Sequence, residues 1–324
     1  MIFKKKAVVL SALVAVLVLV YIFSFVIDPE RPQTFAFLDE KMLALADRIE
    51  IYGSGGKTLL SRKNNIWVFS AGTTEYPVKQ GRVEDLLQAL SRRNVFPLRA
   101  VSPEGRERLG LVEGRASRIL VRGGAGLPLL DLLIGTGDAL GREIYLRKAG
   151  ANEIYSGEDH FTLYTESKPS SWYNLRLFSA DTPPETSPGT AAGSRNSGVD
   201  VAMVQQAEIS LPESTETFTL RRHGEGWIIP GNESFPLDTP KVESWLRSVL
   251  EAEGVDFSAE TPASVEGSVT FRLGNGTART IQAGPPDEQK RRSATVSNSP
   301  LTYILSEWTL NRLFRESGYF FKTQ

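Results

Sequence analysis

One unbroken apolar run opens the chain, and alternating and helical periodicities share the rest. The run is Ala7 to Ile27, 21 residues without a charge, dominated by Val, Leu, Ala, Ile and Phe. At about 1.5 Å per residue a helix of that length reaches roughly 31 Å, close to the hydrocarbon thickness of a bilayer. One transmembrane helix is predicted. Lys4, Lys5 and Lys6 precede it and Asp28 and Glu30 follow, so the positive-inside rule places the N-terminus in the cytoplasm and residues 28 to 324 outside it. A cleaved signal peptide would have an apolar region of about 7 to 15 residues ending in small side chains. Here the run ends Tyr21-Ile-Phe-Ser-Phe-Val-Ile27, and an uncleaved anchor is expected.

Beyond the run, one pattern occurs twice. The first copy runs from Arg48-Ile-Glu-Ile-Tyr52 through Thr58-Leu-Leu-Ser-Arg62 and Ile66-Trp-Val-Phe69 to Tyr76-Pro77 and the helical spacing Val83, Leu86, Leu87, Leu90. The second runs from Ala207-Glu-Ile-Ser-Leu211 through Phe218-Thr-Leu-Arg-Arg222 and Gly226-Trp-Ile-Ile229 to Phe235-Pro236 and Val242, Trp245, Leu246, Val249. Phe218 and Leu220 alternate with Thr219 and Arg221, as a half-buried antiparallel strand requires. Asn64-Asn65 and Gly224-Glu225-Gly226 tolerate positive φ and predict hairpins. Apolar positions at i, i+3, i+4 and i+7 then predict a short helix covering each sheet, the second capped at Asp238 or Thr239 with Pro240 just inside.

A second set of strands follows each helix. In the first copy it comprises Arg118–Arg122, Leu129–Gly135, Glu143–Arg147 and Glu153–Ser156; in the second, Ser268–Leu273, Ala278–Gly284, Ser293–Val296 and Leu301–Ile304. Asn275-Gly276 is a hairpin signal, and terminal helices are expected near Asp159 to Tyr164 and Glu307 to Phe314. The predicted fold class is α+β: an N-terminal transmembrane helix followed by two tandem repeats of mostly antiparallel strands with short covering helices. Residues 1–30 form the cytoplasmic tip and anchor, 31–179 the first repeat, 180–200 a flexible linker rich in Pro, Gly, Ser, Thr and Ala, and 201–324 the second repeat.

Composition narrows the chemistry. With no cysteine in 324 residues, disulfides, thiolate metal sites and cysteine nucleophiles are excluded together. Apart from Lys4 to Lys6, 34 of the 37 basic residues remain against 38 acidic ones, which disfavours nucleic acid as a partner. His160 and His223 stand at no ligand spacing and read as polar loop or helix residues. Gly53-Ser-Gly-Gly56 and Gly123-Gly-Ala-Gly126 match neither phosphate-binding fingerprint and lie between strand-like runs, so they predict hairpin turns. Asp131, Asp138 and Glu143 are scattered carboxylates. Lys290-Arg-Arg292 is expected at an exposed strand edge or turn. Of Trp67, Trp172, Trp227, Trp245 and Trp308, two recur at equivalent repeat positions, which favours core packing over a ligand platform. No catalytic, cofactor-binding or metal-binding residue is predicted, and the chain is expected not to be an enzyme.

This ordered set resembles the DUF4340 family, on Arg48 to Tyr52, Ile66-Trp67, Val83 to Leu90, Arg108-Leu-Gly-Leu111, Gly135, Ile154-Tyr155 and Ser171-Trp172. The likeness covers residues 35 to 178 best and the second repeat more weakly, where no Gly-Leu turn is visible. The resemblance implies a bacterial envelope protein, an auxiliary or substrate-facing partner of gliding-motility-type ABC transporters, with no ATPase site of its own. A module binding envelope polysaccharide or peptidoglycan is the alternative, and a carboxylate-dependent hydrolase is a third reading.

Overall fold

A computed structural model describes residues 16–18, 33–138, 140–178, 200–233, 235–297 and 299–322. The predicted anchor, Val16–Val18 apart, and the predicted linker, Asp200 apart, lie outside these residues. Among the described residues no helix is long and apolar enough to cross a membrane.

The architecture is α+β with mostly antiparallel sheets, and the chain divides into two compact units. The first comprises residues up to Glu75 together with Gln80–Ser171; the second comprises Tyr76–Lys79 and Trp172 onward.

In the first unit, β1 (Gln33–Phe35) pairs with β6 (Asn94–Phe96), and α1 (Glu40–Leu43) leads into β2 (Ala46–Gly53). The large sheet then takes β3 (Gly56–Lys63), β4 (Ile66–Ala71) and β5 (Thr74–Pro77) outward on one side of β2. On the other side come β8 (Ser117–Gly123), β9 (Pro128–Gly137), β10 (Glu143–Lys148), β11 (Ile154–Glu158) and β7 (Leu98–Ala100). Alternation decides which face is inner: Ile49, Ile51, Leu60, Ile119, Val121 and Leu132 are buried. Helix α2 (Gln80–Ser91) covers that face with Val83, Leu86 and Leu90. Its start is tied to β4 by one side chain, since Gln80 accepts from the Trp67 backbone N–H at 2.9 Å and donates to its carbonyl at 2.8 Å.

The described strands of the second unit follow the same order from β4 onward. Its sheet runs β14 (Gly226–Ile228), β13 (Thr217–His223), β12 (Val204–Ser210), β16 (Gly267–Leu273), β17 (Ala278–Pro286), β18 (Arg292–Val296), β19 (Thr302–Leu305) and β15 (Asp256–Ser258). Helix α5 (Thr239–Leu250) covers it, capped as the sequence predicts by the Asp238 carboxylate, which accepts from Lys241 N–H at 3.1 Å, with Pro240 in the first turn. Trp245 packs against Phe320 at 5.2 Å and donates its indole N–H to the Arg312 carbonyl at 3.0 Å. Leu177 and Phe178 complete this core, and Leu177 N–H donates to the Ala252 carbonyl at 3.0 Å. The hairpin expectations hold: Asn64 and Asn65 have φ of 49° and 64°, and Gly224 has 58°.

Candidate functional site

The strands and turns scatter most of the residues that carry chemistry. His160, between β11 and α4 (Thr162–Thr165), lies 2.7 Å from the exposed Glu158 carboxylate, and His223 ends β13 on the surface. Asp131 is paired with Arg118. Asp138 accepts from the N–H groups of Arg142 and Glu143, and those backbone bonds hold its carboxyl below the usual carboxylate range. Glu143 pairs with Arg99 at 2.9 Å. The two glycine-rich segments join β2 to β3 and β8 to β9 as turns. Trp67, Trp172, Trp227 and Trp245 are core residues, whereas Trp308 is exposed with the Arg312 guanidinium 4.4 Å from its ring centre. Among the described residues no group of three or more His, Asp or Glu side chains is placed to hold a metal.

Among the described residues, each unit has a cleft lined by polar side chains. The first, about 400 Å³, lies beside a turn that packs on β9 and is lined by Glu107, Gly110, Val112, Arg115, Ser117 and Thr136, among others. Its wall begins with α3 (Pro103–Arg108), whose N-terminus is closed by the Ser102 hydroxyl accepting from Gly105 N–H at 3.2 Å. Its C-terminus is a Schellman cap: Gly110 N–H donates to the Glu107 carbonyl at 3.2 Å and Leu111 N–H to the Arg106 carbonyl at 2.8 Å. Gly110 takes a φ of 71°, a left-handed value that suits glycine. The Leu109 carbonyl then accepts from Thr136 N–H at 3.0 Å, and a Cβ on Gly135 would lie 2.1 Å from that carbonyl oxygen. Leu111 is buried against Leu133 and Ile154, and the buried Arg147 guanidinium donates to its carbonyl at 3.1 Å. The residues that carry the family resemblance, Leu109-Gly110-Leu111, Gly135 and Ile154, therefore converge here.

The second cleft, about 690 Å³, is bounded by the β12–β13 turn, the β17–β18 turn and α6 (Glu307–Leu313). Here one expectation is corrected. Arg292 is not at an exposed edge: it is 5% exposed, because its guanidinium donates to Glu266 at 2.6 Å and to the Gly284 carbonyl at 2.8 Å and also pairs with Glu213. Lys290 and Arg291 are in the β17–β18 turn as expected, and the Asp287 carboxylate accepts from Gln289 and Arg291 N–H there. Glu213 stands at φ 61°, unusual for a non-glycine residue. Glu216, Glu307 and Glu316 complete a mixed-charge wall with Lys290. Both clefts are lined by polar and charged side chains together with apolar ones.

Sequence reasoning found the Leu-Gly-Leu turn but missed α3 before it. Ser102-Pro103 and Gly110 are its start and stop signals. Nothing local in the sequence marks Arg292 as buried.

Among curated proteins and solved structures nothing matches this chain. A family described as a domain of unknown function (DUF4340) matches residues 67–268, from β4 to the start of β16, and so spans parts of both units rather than the first alone. With more than half of its length matched, and the Leu-Gly-Leu turn inside the matched region, the chain belongs to the DUF4340 family.

Proposed function

We propose that this chain is a non-catalytic interaction module, tethered by one transmembrane helix on the extracytoplasmic side of a cell membrane, serving as an auxiliary component of an ABC-transporter-like envelope complex. The observation that carries the tether is the 21-residue uncharged run behind Lys4, Lys5 and Lys6. The transporter partner is supported by the family resemblance, and the non-catalytic role by the second cleft, where Arg292 is engaged in ion pairs with Glu213 and Glu266 and Asp287 caps the adjoining turn. Affinity purification of the full chain from detergent-solubilised native membranes is expected to recover ABC-type membrane subunits. Recovery of none, under conditions that preserve known complexes, would remove that partner.

A second reading is favoured by the outer face of the second sheet. Ser210, Thr219, Ser268, Thr270, Thr280 and Thr295 form a solvent-accessible hydroxyl array, with Thr270 and Thr280 hydroxyls 3.1 Å apart. Such a face suits a polyhydroxylated polymer of the envelope. The detergent-solubilised full chain is then expected to sediment with purified cell wall, and to remain in the supernatant if the face has no such ligand.

A further inference from the structure

The first unit leaves an apolar patch uncovered at one end of its sheet. Met42 in α1, Leu45 just before β2 and Leu127 between β8 and β9 are 39%, 50% and 56% exposed. Backbone contacts bring them together. Ala46 is the register partner of Gly123, and a Cβ on Gly123 would lie 2.8 Å from the Leu45 carbonyl oxygen. Gly123 N–H in turn donates to the Leu127 carbonyl at 2.8 Å, and Leu45 N–H donates to the Met42 carbonyl at 3.1 Å. Charges of both signs surround the three side chains. Arg122 donates to the Gly126 carbonyl at 3.4 Å, Lys41 is exposed beside Met42, and Glu40 and Asp47 are exposed in the same stretch. With these charges largely offset, the surface favours an apolar contact over an electrostatic one.

Chain length indicates what covers it. Six peptide links separate Ile27 from Gln33, and fully extended they reach at most roughly 20 Å. The nine strands of the sheet, at about 4.8 Å spacing, are roughly 40 Å across. On the tethered reading, a link shorter than the sheet is wide would keep the first unit close to the lipid headgroups. The apolar patch begins only nine residues into the described fold, at Met42.

We infer that Met42, Leu45 and Leu127 seat the first unit on the lipid–water interface of the membrane that anchors the chain. This rests on the tethered reading above. Apolar side chains flanked by charged ones gain from partial burial at the headgroup boundary, and an apolar contact survives salt that screens charges beyond about 3 Å.

The absence of native cysteine makes the test direct. Leu45→Cys and Leu127→Cys would each carry an environment-sensitive fluorophore, with the full chain reconstituted in phosphatidylethanolamine and phosphatidylglycerol vesicles. Leu163→Cys is the control: it is an exposed leucine in α4, which packs at the Gly53 end of β2, roughly 23 Å from the Ala46 end at about 3.3 Å per residue. Labels at 45 and 127 are expected to emit further to the blue than the label at 163 and to be quenched by brominated lipid, in low and in 1 M salt alike. Retention of the chain through carbonate extraction, with all three labels behaving identically, would overturn the contact and leave the tether standing. Release by carbonate would overturn the tether and this inference with it.

Discussion

The outer faces of the two sheets differ far more than the inner ones. Register makes the comparison position by position: Ile51 and Ile209 are equivalent, each pairing across the sheet with Ile119 and Val269 respectively, and both are buried. One residue away on the outer face, Glu50 and Glu208 are equivalent. Glu50 is buried among Arg48, Arg122 and the Tyr52 hydroxyl, while Glu208 is exposed between Thr219 and Thr270. Where the first sheet has Tyr52, Leu59, Leu120 and Asp131, the second has Ser210, Thr219, Thr270 and Thr280. A common strand order thus needs a matching inner face and matching turns, and it leaves the outer face free to be specialised. Ligand recognition that distinguishes the units is to be sought on those outer faces and in the clefts beside them.

One outer-face feature is shared, and breaking it has the largest expected effect. Ile134 pairs with Ser117, the first residue of β8, and Ala283 pairs with Gly267, the first residue of β16. The next residues, Gly135 and Gly284, are therefore equivalent, and both admit the segment that crosses the sheet before β8 or β16. A Cβ on Gly135 would meet the Leu109 carbonyl oxygen at 2.1 Å; on Gly284 it would meet the Pro262 ring at 2.5 Å. Gly135→Ala is expected to destabilise the first unit by about 3 kcal/mol and Gly284→Ala the second by about 2 kcal/mol, the costs of overpacking. Hydrogen exchange resolved by unit would check both. Equal protection in Gly135→Ala and the parent chain would show that the turn is not held where the structure places it.

The next test separates the two clefts. Arg292→Met keeps the side-chain volume but removes every donor to Glu266, Glu213 and the Gly284 carbonyl. Because the Glu213 and Glu266 side chains are 68% and 33% exposed, they recover some hydration. The expected loss is about 2–3 kcal/mol, below that of a fully buried pair, confined to the second unit and read by the same exchange experiment. In the first cleft, Gly110→Ala places a Cβ at φ 71° and 2.9 Å from the Thr136 methyl carbon. A loss of about 1–2 kcal/mol is expected from the left-handed backbone and the contact together, and it should appear in the first unit alone.

What the sequence made visible follows from locality. The alternation in Phe218–Arg222, the φ-tolerant Asn64-Asn65 and the stripe from Val242 to Val249 are each set within one element, and each is found where it was expected. Helix α3 escaped because Gly105 is its one buried residue, so its six residues carry no apolar stripe despite the Ser102-Pro103 start. Strands β7 and β15 escaped because three residues with no fully buried side chain show no alternation. Burial of Arg292 depends on Glu266 and Glu213, 26 and 79 residues away, and the need for glycine at 135 depends on a carbonyl 26 positions earlier. Those are properties of packing between distant segments, which no local pattern records.

The smallest effect sharpens the outer-face comparison through pH. Burial pushes the Glu50 carboxyl up, but the Tyr52 hydroxyl and the charges of Arg48, Lys57 and Arg122 outweigh it, so the group is held below the usual carboxylate range. A carboxyl with a depressed folded-state pKa stabilises the fold at any pH above its ordinary, unfolded-state value. That contribution is lost as pH falls through the ordinary value toward the folded one. Glu50→Gln should therefore lower the stability of the first unit at neutral pH and flatten its acid limb. Glu208→Gln, at the equivalent position between two threonines, is the matched change for the second unit. Denaturation followed between pH 7 and the acid limb distinguishes the two sites: an unaltered acid limb in Glu50→Gln would mean that the arginines flanking Glu50 do not hold its charge in the folded chain.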